Sequence, residues 1–393
     1  MKNKKILFII FLLLLGASVF STPLYSPTWG FRLDLPEDYT FSGGDGKDRF
    51  SFGNPNGAQF DLIIYHSAPG KDAQYATLEA LAQDVQARLN NKGDVVSFEY
   101  RHKKAYIFKL SFVIPAQGGR TSAMSGWAFC LELGSPGVES ENKPPRPMLL
   151  AMAYGPADRN DLEALHFSAL DSVSPEEGDK WAPGLITEFS YPRETRIKTS
   201  IHGLGIEAQI YREDAEAAQA LVDREFQILS RYANSPKWKE AWIRYYRAIY
   251  RDSFERLTDI AFQVERKLNV PERENRNFAD QALQWVQTFT YERNLSGSDF
   301  INLISAATEG RGDCDPRAML WAIILNQANI PSAMMVSREY SHAMGLADIP
   351  GAGARFELEG QKLLVAETTA KVSIGLIGEN VSATENWLGI PFE

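Results

Sequence analysis

The stretch that most constrains this chain is Gly310-Arg311-Gly312-Asp313-Cys314-Asp315-Pro316-Arg317-Ala318, which runs straight into the apolar segment Met319 to Leu325. Asp313 is a suitable N-cap, since its carboxylate can accept from the orphan N–H groups of a first helical turn. Pro316 falls inside that turn, where a missing donor costs little. Ala318, Met319, Ala322, Ile323 and Leu325 then supply a buried face, and Asn329 with Pro331 marks the end, so the pattern predicts a core helix. Structural cysteines are usually buried as small hydrophobes. A cysteine at a helix start sits instead among free backbone N–H groups at the positive end of the helix dipole, which favours a thiolate. The two flanking carboxylates act the other way and raise the thiol pKa.

Downstream, Ser332 to Ser337 predicts a strand, and His342 stands at the start of another running from Ala343 to Ala347. Phe356 to Leu358 is expected to pair through Glu359-Gly360 with Leu363 to Glu367 as a hairpin. The order is therefore Cys-helix, strand, His-strand, carboxylate-strand. Four segments in that order, Gly312-Asp313-Cys314-Asp315 with Ala318, Asn329-Ile330-Pro331, Ser341-His342-Ala343, and Ala366-Glu367-Thr368-Thr369 followed by Ile374-Gly375, resemble the transglutaminase-like superfamily, the papain-related cysteine peptidases and acyltransferases. Asn329 stands where that family carries Gly, and Glu367 where it carries Asp or Glu.

The resemblance implies an α lobe that supplies the cysteine and a β lobe that supplies the histidine and the acid. It makes Cys314 the nucleophile, His342 its base and Glu367 the group that orients His342. Gln287, in Trp285-Val286-Gln287-Thr288-Phe289-Thr290-Tyr291, matches a glutamine that precedes an aromatic in the family, and would hold the oxyanion together with the N–H of Cys314. The chemistry is coherent: a thiol needs a base, imidazole exchanges protons near neutral pH, and its second ring nitrogen needs an acceptor. Each residue also has a plainer reading. Cys314 could be a buried thiol or could pair with Cys130, the other cysteine. His342 could be a satisfied polar residue, Glu367 a strand-end carboxylate and Gln287 a solvent-facing helix residue.

Met1 to Ser21 has the form of a secretory leader, with Lys2, Lys4 and Lys5 at the basic end, Ile6 to Leu15 as the apolar core, and small residues for cleavage near Ser18 to Ser21. The apolar run is too short to span a bilayer comfortably, so no stable membrane insertion is expected. A periplasmic or secreted location follows. Without the three leader lysines the chain carries 38 basic against 50 acidic residues, a net −12, which argues against a nucleic-acid partner. With neither a CxxC pair nor a histidine cluster, no metal site and no cofactor are expected.

From Trp29 to about Pro175, alternating segments at Phe31 to Leu35, Gln59 to Tyr65, Val95 to Arg101, Ala105 to Val113, Ala123 to Leu133 and Met148 to Tyr154 predict strands. Leu78, Leu81, Ala82, Val85 and Leu89 share one helical face, and Leu162, Leu165, Ala169 and Val173 another. This α+β pattern, opening with Phe31-Arg-Leu-Asp-Leu-Pro-Glu-Asp-Tyr39 and closing with Ala169-Leu-Asp-Ser-Val173, resembles the PsbP-like fold. His66, His102 and His166 are scattered, and Cys130 is expected in the core. Glu139 to Arg146 is expected as a loop and Ser174 to Lys180 as an interdomain linker.

Short strands at Arg196 to Ile201 and Ile206 to Tyr211 lead into a helix bearing Ala218, Leu221, Val222 and Leu229. Ser235-Pro236 is expected to start one long helix through Leu268, with Trp238, Trp242, Tyr245 and Ile249 as core. Its other face carries Arg244, Arg247, Arg251 and Arg256, expected to be solvated unless an acidic partner covers them. The expected organisation is a leader at 1–21, a PsbP-like α+β domain at 28–175, short strands and a helical connector at 181–270, and a transglutaminase-like domain at 272–393. The expected function is thioester chemistry on a peptide or protein substrate, envelope peptides included, by hydrolysis or by transfer to an amine. The alternative is a catalytically inactive binding or scaffold protein of the cell envelope.

Overall fold

The computed structural model describes residues 23–66, 74–91, 93–115, 121–134, 146–268, 275–293 and 298–392. The expected leader, and all of the Glu139 to Arg146 loop except Arg146, lie outside the described residues. The fold is mixed α+β with antiparallel sheets.

The first part contains β1 (Leu24–Tyr25), β2 (Arg32–Leu33), β3 (Thr40–Gly44), β4 (Arg49–Gly53), β5 (Gln59–Tyr65), α1 (Leu78–Arg88), β6 (Val95–Tyr100), β7 (Lys103–Pro115), β8 (Thr121–Glu132), β9 (Met148–Pro156), α2 (Glu163–Asp171) and β10 (Val173–Ser174). Seven of these strands form one antiparallel sheet in the order β3-β4-β5-β9-β8-β7-β6. Its central strands are buried on both faces. Phe108, Leu110, Ala128, Cys130 and Leu150 pack under Leu81 and Val85 of α1. Ile107, Phe129, Leu131 and Leu149 pack under Ala169 and Leu170 of α2. Because successive residues of a strand point to opposite faces, two covered faces turn strict alternation into apolar runs such as Ala128 to Leu131. Cys130 is a free core thiol, and burial pushes its pKa up to about 12.

The middle of the chain comprises the hairpin β11 (Arg196–Ile201) and β12 (Ile206–Tyr211), then α3 (Asp214–Ser230), α4 (Trp238–Arg256), α5 (Thr258–Leu268) and α6 (Asn275–Val286). The single long helix expected here is two. It begins at Trp238, with Ser235 Oγ accepting from the Lys237 N–H at 3.2 Å, and it breaks at the fully buried Leu257. The bend lets α5 pack on β12 and on the helix that follows. Next come α7 (Leu303–Glu309), α8 (Cys314–Gln327), β13 (Ser332–Ser337), β14 (His342–Ala347), β15 (Arg355–Leu358), β16 (Gln361–Ala366) and β17 (Leu388–Ile390). The last five strands make an antiparallel sheet in the order β15-β16-β14-β13-β17. One core joins α3 to α8 and this sheet.

The arginine face of α4 is not solvated. Arg244 donates to Glu37 and Glu225, Arg247 to both oxygens of Asp34, Arg251 to Asp34, and Arg256 to Asp252 and Asp214. The acidic partner lies in the same chain: Asp34 and Glu37 belong to the first part, so the face is a buried joint between the two. Ser174 to Lys180, expected as a linker, is packed as well. Ser174 pairs with Arg32 in the small sheet, Glu176 binds Lys103 at 3.0 Å, and Lys180 is buried.

His166 of α2 is buried with Nε2 unpartnered among the described residues. Burial holds its pKa down to about 4, below the ordinary 6.5, against a small opposing effect of a Tyr154 backbone hydrogen bond. The unfolded chain therefore takes up this proton first as pH falls, so His166 favours folding fully above about pH 6.5 and progressively loses that advantage toward pH 4. Urea midpoints measured across that window should fall in the wild type and flatten in His166→Gln. Equal slopes in the two proteins would contradict the assignment.

Candidate active site

Cys314 is the first residue of α8, and the N-cap Asp313 accepts from the Asp315 N–H at 3.3 Å. The turn before it requires glycine. Gly312 has φ +143°, and a Cβ there would lie 2.9 Å from Pro316 and 3.2 Å from Ile301. The turn is clamped from below by Arg317, 1 % exposed, which donates to the carbonyls of Gly312 at 2.9 Å and Phe289 at 2.8 Å. It is clamped from the side by Thr290, whose N–H donates to Gly310 and whose carbonyl accepts from Gly312. Further along α8, Trp321 packs on Gly345 of β14, where a Cβ would meet the indole at 2.5 Å. That close approach sets the His-strand against the Cys-helix.

His342 opens β14 and Glu367 follows β16. Gly345 pairs with Ala366, so continuing the antiparallel register sets Glu367 opposite Met344 and diagonal to His342 on the same face. His342 Nε2 and Glu367 Oε2 are 2.7 Å apart. The other oxygen, Oε1, accepts from the Thr369 N–H at 2.7 Å and its hydroxyl at 2.6 Å. Burial alone would raise the Glu367 pKa; the His342 hydrogen bond and charge, with the Thr369 donors, outweigh it and hold the carboxyl below its ordinary value. Trp387 packs edge-on to the imidazole at 6.2 Å. Because Nε2 is committed to Glu367, Nδ1 is the ring nitrogen left for a second partner.

Cys314 and His342 line one cavity of about 250 Å³ between α4, α8 and the sheet. Aromatic residues of α4, Trp242, Tyr245 and Tyr246, form one wall, and Asp299, Asp313 and Asp315 surround the sulfur side. The thiol donates to Asp315 Oδ1 at 3.4 Å, and Tyr246 donates to Asp315 Oδ2 at 2.6 Å. Arg293 binds Asp299 at 2.8 Å and approaches Asp313 to 3.8 Å. Burial, then Asp315, then Asp313 push the Cys314 thiol well above its ordinary pKa, with the Ala343 N–H acting the other way. Burial, then Asp315 and Asp299, push Asp313 up to about 8. The Asp315 carboxyl is raised as well, chiefly by burial, and the Tyr246 hydrogen bond opposes that. The resting sulfur is therefore a neutral thiol.

Of the four expected site residues, His342 and Glu367 are hydrogen-bonded to each other, and Cys314 lines the same cavity as His342. Gln287 is a correction. It is buried just beyond α6, and its amide nitrogen donates to the carbonyls of Glu367 and Val372, both at 2.8 Å. Both amide hydrogens are spent, so Gln287 fastens the Glu367 segment to α6 and is not a free oxyanion donor. Cys314 is not bridged to Cys130; both are free, in separate cores. Trp242 and Tyr245, expected only as core, also wall the cavity, and Tyr246 was not foreseen because its helical spacing matches that of its packed neighbours. No family model matches the chain, and no curated protein matches it. Among the described residues no helix is long and apolar enough to cross a membrane.

Removing the nearest carboxylate should free the thiol. In Asp315→Asn the Cys314 titration, followed by thiolate absorbance, should move down by about one unit or more. An unchanged curve would show that the carboxylate does not govern the sulfur.

Proposed function

We propose that this protein is an exported transglutaminase-like thiol enzyme that acts on peptide or amide bonds, with a PsbP-like α+β domain at 28–175, a connector at 181–270 and the transglutaminase-like domain at 272–393. The observation that carries the reading is the His342–Glu367 pair at 2.7 Å, on the wall of the same cavity that Cys314 lines. A carboxylate fixed by Thr369, with Gln287 at its carbonyl, holds His342 in one ring orientation, which is what a catalytic base needs.

The chemistry runs through a thioester. The Cys314 sulfur attacks the amide carbonyl carbon and a C–S bond forms. Because the flanking carboxylates oppose a standing thiolate, the thiol proton passes to His342 during attack. The N–H of Cys314, among those that a helix leaves without an intrahelical acceptor, faces the developing oxyanion. The C–N bond then breaks and the amine leaves with the proton from His342. Water, or a second amine, attacks the thioester with His342 again as base and regenerates the thiol. Glu367 stays ionised and steadies the imidazolium. Peptides and envelope peptide cross-links are the substrates to try first for an exported chain.

A second reading, a binding or scaffold protein with an idle thiol, is favoured by one observation: the thiol already donates to Asp315, and two carboxylates oppose its ionisation. Alkylation separates the two. In the enzyme, iodoacetamide at pH 7 should modify Cys314 with His342 assisting, and His342→Ala should slow the reaction by about 10²-fold or more. Equal rates in both proteins, rising only at alkaline pH as the buried thiol titrates, would leave the scaffold reading.

A further inference from the structure

The cavity that Cys314 lines has two chemically different ends. At one lie the sulfur, His342 and the carboxylates Asp299, Asp313 and Asp315; at the other lie Phe226 and Leu229 of α3 and Trp242 of α4. Tyr246 stands between them, because its hydroxyl donates to Asp315 and Asp315 accepts from the Cys314 thiol. Trp242 is one helical turn earlier on the same helix, about 5.4 Å along the axis, with its ring 6.5 Å from that of Tyr246. The apolar end is therefore within a side chain's length of the reacting end.

Phe226 and Leu229 are three residues apart on α3 and share one face of it. Together with Trp242 they are only partly buried, although all three pack against the core of the second part. Large apolar side chains left partly bare inside a concave site gain by being covered. The charged groups nearby are engaged elsewhere. Arg293 is bound to Asp299 at 2.8 Å, and Arg338, at the rim, lies over the Trp238 ring at 5.8 Å and donates to the Ala233 carbonyl at 3.2 Å. The direction of the substrate follows from the chemistry. His342 belongs to the sheet, where it pairs with Ser337 of β13, and it has to protonate the leaving amine. The amine therefore departs on the sheet side of the sulfur, and the acyl part extends the other way, toward α3 and α4.

Resting on the thiol-enzyme reading, we propose that Phe226, Leu229 and Trp242 form the specificity pocket of this site and select peptide acyl donors that carry a large apolar or aromatic side chain within two residues of the reacting carbonyl. At about 250 Å³ the cavity is small for a ligand site, so it takes one such side chain beside the reacting bond and no longer segment. A carboxylate side chain is disfavoured there, because it would lose its hydration against three apolar groups without gaining a partner. The selecting residues come from the helices that precede the Cys-helix domain, so the connector contributes substrate choice as well as support.

Peptidyl chloromethyl ketones test this on the full chain. The Cys314 sulfur displaces chloride from the reagent's methylene, a C–S bond forms, the thiol proton passes to His342, and intact mass follows the adduct. Acetyl-dipeptidyl reagents are compared at one pH with Ala-Ala, Phe-Ala, Ala-Phe, Asp-Ala and Ala-Asp as the dipeptide. The better phenylalanine reagent should react at least about 10-fold faster than the dialanine one, and neither aspartate reagent should exceed the latter. In Phe226→Ala and Trp242→Ala that ratio should fall toward one; if neither variant folds, the wild-type ratios decide alone. Absence of a phenylalanine preference in the wild type, or a ratio unchanged in the folded variants, overturns the proposal. Iodoacetamide, which carries no side chain, separates this failure from that of the enzyme reading. Rates that depend on His342 without a phenylalanine preference strike the pocket and leave the enzyme, whereas a preference with rates equal in His342→Ala keeps the pocket and retires the catalysis.

Discussion

The candidate site depends on the burial of α8. From Pro316 to Leu325 every residue of this helix is buried, with helices on one side and the five-stranded sheet on the other. Each of Leu320, Ile323, Ile324 and Leu325 contributes about 1.5–3 kcal/mol by leaving water, so the helix has little freedom to shift or rotate. Its first residue is therefore a fixed point, and the clamp of Arg317 on the preceding turn extends that rigidity to the sulfur. The sheet is registered against this helix through Gly345 and Trp321, which brings His342 and Glu367 to the same end. Geometry at the sulfur is thus inherited from a hydrophobic core, and no mobile loop has to supply it.

The second dependence is electrostatic. The first part does not swing free on a linker, because its Asp34 and Glu37 are the counter-ions of α4. Buried ion pairs give little net stability compared with apolar contacts, but removing one partner strands the other at high cost. Such a joint specifies orientation more than it adds free energy. It also ties the two faces of α4 together: the arginines on one side fix the helix whose Trp242 and Tyr246 wall the cavity on the other.

Much of this was legible in the sequence, and the parts that were not have physical reasons. The Cys-helix, with its N-cap Asp313 and its stop at Asn329 (φ +59°), declared itself through local chemistry, as did the Glu359-Gly360 turn, where both residues take positive φ. Strands β13, β14 and β16 followed from apolar runs bounded by such stops. The strands β3 and β4 were not expected, because Gly43, Gly44, Gly46 and Gly53 make that stretch resemble a turn; pairing with β5 overrides the local preference. The arginine stripe of α4 was visible, yet its partner Asp34 lies 213 residues away from Arg247, and helical periodicity carries no information about distant segments. Gln287 was picked out by its neighbours, while the direction of its amide depends on carbonyls of a strand end 80 residues later. The effect of Asp315 on the thiol was legible in direction, and Tyr246 as its hydrogen-bond donor was not.

The most direct test of the central claim is to catch the thioester. The protein is mixed with 4-nitrophenyl acetate at neutral pH, and the release of nitrophenolate is followed together with the intact mass. A rapid stoichiometric burst, an acetyl group mapped to Cys314, and loss of both in Glu367→Gln and His342→Ala are the expected results. Slow release without a burst, or acetylation of Cys314 at the same rate in all three proteins, would contradict the account and leave a thiol that the fold merely shelters.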